Sequence, residues 1–302
     1  MINFGVTKES ITRAIMFSHT IITIIKVDIY YHTTEKSMIK FETITDIFDS
    51  QYVNNIVITH LKGQALDIVT RPHDCDEFFT LLKNVNESPD VSGYVQINNN
   101  EWDSHSAIEK LVDQVLEDTG HVAGGGRQYG YQHDVIAARF RHSMGRTLLT
   151  MIQFSKPAIA GMQGRISGEY LGHTLAYDAR LATADTTFSF DSIHTGLPAS
   201  PGITCLMPRY IGIGRTMSLL QSGSTIDAKE AYSLGLITEI VEDPQELIEH
   251  CTKRIQIATA NHRHLVKYYR QHILPSVTEV KDAVESYIDA MARSINQLRK
   301  NR

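Results

Sequence analysis

A chain of 302 residues with 42% hydrophobic composition is long enough to bury one large core, or a core with an appendage, and stands among ordinary globular proteins. Its 29 Lys and Arg against 34 Asp and Glu give a formal net charge of −5. No broad basic surface therefore argues for nucleic acid or an anionic membrane, and small molecules or proteins are the expected partners. Three widely spaced cysteines, Cys75, Cys205 and Cys251, offer no C-x-x-C pair for zinc or redox chemistry and fit a reducing cytoplasm.

In chain order, residues 1–50 read as a β-rich N-terminal extension. Its most apolar run, "IITIIKV" at 21–27, is too short to span a bilayer and reads as a strand. From residue 54, "NNIVITHLKGQAL" predicts a strand and a Gly-containing turn. "CDEFFTLLKNVNES" then has helical spacing and "SGYVQIN" is again a strand, which makes a β-α-β unit. A helix is expected over "SAIEKLVDQVLED", and the glycines of "TGHVAGGGRQYGYQHD" (119–134) deny that stretch regular structure. It reads as a lid, since no Lys-Ser or Lys-Thr follows to make a phosphate loop. Further on come a helix through "VIAARFRHSMGRTLLTMIQF", the strand "KPAIAGMQG", a helix after Gly168 and a strand around "ARLATADTTFSF". Alternating strands and helices predict a layered α/β fold with a largely parallel sheet.

After Pro208 the pattern is almost wholly helical, with Gly223 and Gly235 closing the first two helices. The tail has too little core of its own and must pack on the α/β core or on another subunit. The expected organisation is an extension at 1–50, a core at 51–241 and a helical, oligomerising region at 242–302.

The block at 156–241, with Lys156-Pro157, the Gly164 turn, Asp178, "ATADTTF", Gly196, Pro208-Arg209, Gly212 and "SG…IDAKEAYSLGLI", resembles the crotonase superfamily, the enoyl-CoA hydratase/isomerase fold. Residues 54–97 resemble the family's first β-α-β unit more loosely, and the first fifty residues lie outside the resemblance. The resemblance implies a spiral of β-β-α units, trimers or hexamers, and an acyl thioester substrate on coenzyme A or a phosphopantetheine carrier. No separate cofactor or metal is implied. The shared chemistry is an enolate held by two backbone N–H groups, which act as preorganised donors in a dry site.

Carried onto this chain, one donor falls on the N–H of Glu169, whose side chain is expected to point away, and the other on Ser104 or His105. Gly168, Gly172, Pro198 and Leu66 are the implied substrate-binding positions. The hydratase glutamates correspond to Gly172 and Ser192, so both carboxylates are gone and water addition by an acid–base pair is not expected. In an extended loop Ser192 and His194 would point the same way, which nominates His194 as base, with Asp191 orienting it and Ser192 in the relay. The plain alternative is a loop capped by Asp191 with His194 merely packed. Ser200 stands near the place where family dehalogenases keep a nucleophilic aspartate. His272 and Lys267 are rival candidates on a late helix, with a solvated helix face as the alternative. The metal-like "RPHDCDE" at 71–77 reads as an acidic helix start.

Two readings follow. One is an enzyme of thioester enolate chemistry without hydration, a decarboxylase, isomerase or C–C hydrolase. The other is a catalytically inactive binding or assembly subunit.

Overall fold

The computed structural model describes residues 41–62, 72–98, 137–260 and 262–301. Residues 41–302 form one compact unit. The strand at 21–27, the helix at 106–118 and the Gly-rich stretch at 119–134 lie outside the described residues.

The chain enters through β1 (Thr43–Ile44), β2 (Phe48–Val53) and β3 (Ile56–Leu61), an antiparallel meander. Asn54 and Asn55 join β2 to β3 with φ of 52° and 64°, the left-handed pair that a two-residue hairpin turn requires and that asparagine tolerates. Strand β3 then pairs in parallel with β4 (Gly93–Asn98). The parallel run continues through β5 (Ala158–Met162), β7 (Ala179–Thr183) and β10 (Glu239–Val241). Strands β4, β5 and β7 are buried along their whole length, as befits a sheet covered on both faces. A smaller sheet joins β6 (Arg165–Ser167), β8 (Thr187–Ser189) and β9 (Thr225–Asp227).

Helices form the layers. In order they are α1 (Pro72–Glu87), α2 (Arg146–Ile152), α3 (Gly168–Thr174) and α4 (Ser192–Thr195). After these come α5 (Met207–Ile211), α6 (Ile213–Ser222), α7 (Ala228–Leu234), α8 (Leu247–Thr259), α9 (Arg263–Ile273) and α10 (Val277–Asn301). One π-helical turn, Arg141–Gly145, leads into α2, and a second, Gly202–Leu206, leads into α5.

Period-two alternation divides the sheet's faces. Ile56, Ile58, Val95, Ile97, Ile159 and Leu181 turn to one side and meet Leu247, Cys251 and Ile255 of α8 in a single apolar cluster. The approach is close, for a Cβ on Gly161 would lie 2.6 Å from Ile97 Cδ1 and 3.0 Å from Cys251 Sγ. The opposite face carries Thr59, Tyr94 and Gln96, all fully buried, and this more polar side underlies the site.

The β1–β2–β3 meander is continuous with the parallel strands, and helix α8, beyond residue 241, is itself a layer over that sheet. The remaining tail packs inward, with Val284, Tyr287, Ile288 and Ile295 of α10 all buried. No helix among the described residues is long and apolar enough to cross a membrane.

Candidate active site

The site is built around α3. Strand β6 delivers Ser167 in extended conformation, and its hydroxyl accepts the Tyr170 N–H at 3.3 Å, which starts the helix. Gly168 lies under the edge of β8, where a Cβ would come within 3.2 Å of the Ser189 carbonyl oxygen. Glu169 and His173 follow one turn apart on the same helical face.

That face lines a cavity of about 60 Å3, room for about two waters at ~30 Å3 each. Leu61, Phe78, Met144 and Leu148 make its apolar wall. Gln96, Thr147, Glu169, Tyr170 and His173 also line it, and Ser200, Pro201 and Gly202 complete it.

Glu169 was expected to turn its side chain away, with only its N–H facing the ligand. The residue lies on the cavity wall. Burial is the main reason its carboxyl is pushed up to about 7, and the nearby Asp191 charge adds to the effect. Hydrogen bonds from its own backbone N–H and from the Ser167 hydroxyl act in the opposite direction. Tyr287 of α10 feels the Glu169 charge, so the C-terminal helix reaches the same neighbourhood.

His173 is lowered by burial to about 4 and is therefore a neutral imidazole at physiological pH. Its Nε2 lies 3.2 Å from the Tyr177 hydroxyl. Tyr177 donates its proton to Gln96 Oε1 at 2.8 Å, Tyr94 donates to the same oxygen at 3.2 Å, and Gln96 Nε2 donates to the Tyr170 oxygen at 3.0 Å. With its single proton committed, Tyr177 accepts from His173, so Nε2 carries the hydrogen and Nδ1 is a bare lone pair. Among the described residues, Nδ1 has no partner although it is buried, and the same is true of Ser200 Oγ. Both residues line the cavity, but these two atoms are themselves closed off from water.

The two positions that the resemblance matches to the hydratase glutamates, Gly172 and Ser192, are both tightly packed. A Cβ on Gly172 would lie 2.6 Å from Ser200 Oγ and 2.8 Å from the Ile203 backbone nitrogen. Gly202 of the same turn is packed against the Gly172 carbonyl, so a larger residue at 172 would displace backbone. Ser192 is buried in α4. Because residues 192–195 are helical and not extended, Ser192 and His194 diverge. His194 is exposed with its ring against Gly223, and it is absent from the cavity wall. Asp191 does not orient that ring through the backbone contact seen here, where the His194 N–H donates to the Asp191 carbonyl at 2.9 Å; its charge acts on Glu169.

Of the other expected positions, Gly168 and Gly172 shape α3, whereas Pro198 stands just before the wall residues Ser200 to Gly202. Ser104, His105 and Leu66 lie outside the described residues. His272 stacks on Tyr268 at 4.1 Å between ring centroids, and Lys267 lines a different cleft beside Arg270, so neither reaches this cavity. Among the described residues no cluster of His, Cys, Asp and Glu could hold a metal ion. The three cysteines are free thiols. Sequence reasoning missed His173 and Gln96. The i, i+4 spacing inside "GEYLGH" was the available signal for the former.

The profile of the enoyl-CoA hydratase/isomerase family matches residues 117–299. Crotonyl-CoA hydratase of Syntrophomonas wolfei is 28% identical over 148 residues, 49% of this chain and 56% of that protein. Cyclohexa-1,5-dienecarbonyl-CoA hydratase of Thauera aromatica is 26% identical over 163 residues, 52% of this chain and 62% of that protein. The match thus spans a little over half the length of these curated relatives. Among solved structures, enoyl-CoA hydratase from Bacillus halodurans has a TM-score of 0.66 at 17% identity, covering 83% of this chain and 96% of that one. ThnE from S. clavuligerus has a TM-score of 0.58 at 15% identity, covering 80% and 99%. At these identities the structural likeness speaks for the fold.

Proposed function

The chain belongs to the enoyl-CoA hydratase/isomerase family, and from that premise we propose that it binds an acyl thioester, on coenzyme A or a phosphopantetheine carrier, and forms its enolate without adding water. The observation that carries this reading is the closure of position 172. Glycine there is locked between Ser200, Ile203 and Gly202, so the carboxylate that hydration needs is absent and has no space to be replaced. The second carboxylate position is Ser192, buried in α4. What remains is a small, largely apolar cavity at the start of α3, where the Glu169 N–H, held in this structure by its own carboxylate, is the proposed donor to the thioester oxygen once a ligand takes that place. Decarboxylation, double-bond isomerisation and carbon–carbon cleavage all pass through that enolate.

Hydration is the competing reading, favoured by the names of the relatives. It is tested by following loss of the enoyl absorbance of crotonyl-CoA. The proposal expects turnover orders of magnitude below that of a competent hydratase, and robust turnover contradicts it. An inactive binding subunit is the second reading, favoured by the loss of both carboxylates, and it predicts thioester binding with no enolate formed on any thioester tried. The assembly proposed for this family member is a trimer or hexamer.

A further inference from the structure

We propose that Met144 sets the length of acyl chain this cavity accepts, its side chain held in place by the Tyr287 hydroxyl of α10. The inference rests on the acyl-thioester reading above and names the residue that gives that site its substrate preference.

Most of the cavity wall is fixed by what lies behind it. Gln96 Oε1 accepts from Tyr94 and Tyr177 while its Nε2 donates to Tyr170, so this part of the wall is a buried, hydrogen-bonded network of one amide and three phenols. Ser200 and Gly202 are packed against Gly172. Phe78, at 1% exposure, meets the Phe48 ring edge-on at 5.4 Å between centroids. Moving any of these side chains strands a buried polar group or opens a void.

The wall supplied by the helix before β5 is different. Met144, Thr147 and Leu148, three and four positions apart, all line the cavity. Thr147 and Leu148 are buried, and Thr147 Oγ1 donates to the Ser143 carbonyl at 2.7 Å. Met144 is only half-buried. Its backbone belongs to the π-helical turn Arg141–Gly145, which is seated tightly on α10. A Cβ on Gly145 would lie 2.7 Å from Val284 Cγ1, and Arg141 donates to both carboxylate oxygens of Glu285 at 2.9 and 2.7 Å. The backbone is thus held, whereas the side chain is unbranched, with three rotatable bonds. Its sulfur accepts the Tyr287 hydroxyl at 3.6 Å, a weak bond that a change of rotamer breaks.

Volume turns this into a preference. The cavity of about 60 Å3 holds about two water-sized groups at ~30 Å3 each. With the thioester carbonyl and α-carbon of a butyryl group at the start of α3, its last two carbons fill that space. A longer chain enters only where Met144 gives way.

The test is a titration-calorimetry series with acetyl, butyryl, hexanoyl and octanoyl thioesters, each of coenzyme A and of pantetheine, the portion that coenzyme A and a carrier share. These saturated thioesters undergo no net reaction, so the readout is binding alone. In the unaltered protein butyryl should bind roughly tenfold tighter than acetyl, at about fourfold per buried methylene, with no further gain for hexanoyl or octanoyl. Met144→Ala should tighten hexanoyl by roughly tenfold and move acetyl by less than about threefold. Tyr287→Phe, which frees the sulfur and keeps the ring, should raise the preference for hexanoyl over butyryl by about threefold. Should Met144→Ala not fold, Met144→Val should shift hexanoyl in the same direction by about threefold. Affinity that keeps rising through octanoyl in the unaltered protein overturns the proposal, as does a Met144 variant whose hexanoyl-to-acetyl ratio is unchanged. An unchanged profile in Tyr287→Phe overturns the part given to the hydroxyl. Failure of every thioester to bind, on coenzyme A and on pantetheine alike, overturns the acyl-thioester reading itself and this preference with it.

Discussion

Glu169 and His173 have exchanged their usual order of proton affinity, with the carboxyl near 7 and the imidazole near 4. Between those values both groups are neutral, so no carboxylate–imidazolium pair forms in the cavity. The consequences for stability have opposite signs. Glu169, raised in the folded state, contributes stability that is present below its unfolded value of 4.5 and is lost as pH rises through about 7. His173, lowered in the folded state, contributes stability present above its unfolded value of 6.5 and lost as pH falls through about 4. Each effect is on the order of 3 kcal/mol at most, and over the shared window from 6.5 to 4.5 they oppose. Urea unfolding at three pH values across that window should show Glu169→Gln losing stability on acidification relative to the unaltered protein, and His173→Asn gaining it. Identical pH slopes for all three proteins would remove this account of the pair. In the sequence, the spacing from Glu169 to His173 was visible but its chemistry was not. The bare Nδ1 depends on Gln96 and Tyr177, and Gln96 lies on a strand 77 residues away that only the fold brings close.

At the scale of elements, α9 is tied to the core by one side chain. Arg270 is 3% exposed and donates to the carbonyls of Phe154, Met151 and Ala176 at 2.8, 2.7 and 3.0 Å, and its guanidinium also pairs with Asp178. Asp178 in turn accepts the Ala158 N–H at 2.8 Å, where β5 begins. Arg270→Leu leaves three carbonyls and a carboxylate without their donor, and a loss of roughly 3–5 kcal/mol in urea unfolding is expected. A loss below about 1 kcal/mol would mean that water replaces the guanidinium freely. The elements themselves were largely legible. Buried runs such as "AIAGM" announced the parallel strands, and the Asp227 cap and Gly235 stop bracketed α7 where "DAKEAYSLG" predicted it. The four-residue α4 was not legible, because a single turn has too few positions to show a period, and the extended loop expected around Ser192 and His194 is helical.

For the whole molecule, the C-terminal helix is part of the core. Val280, Val284, Tyr287, Ile288, Met291 and Ile295 are each at most 5% exposed. At about 1.5–3 kcal/mol per large apolar side chain, their loss exceeds the roughly 5–15 kcal/mol that holds a domain folded. Removal of residues 277–302 should therefore give insoluble protein, and a soluble truncated chain with a cooperative thermal transition would contradict this. Large apolar side chains also remain in solvent on neighbouring α4 and α6, with Ile193 at 50%, Ile213 at 74% and Met217 at 47% exposure. Such surface is what the proposed trimer or hexamer would cover, and a stable monomer by light scattering at micromolar concentration counts against that assembly.

The central claim, enolate formation in a site closed to hydration at Gly172, is tested most directly by one NMR time course of butyryl-CoA and crotonyl-CoA with the unaltered protein in deuterated buffer. Deuterium should enter the α-carbon of butyryl-CoA while no 3-hydroxybutyryl-CoA forms from crotonyl-CoA. Rapid appearance of the hydroxyacyl product, or no α-deuterium in a thioester that binds, would contradict it.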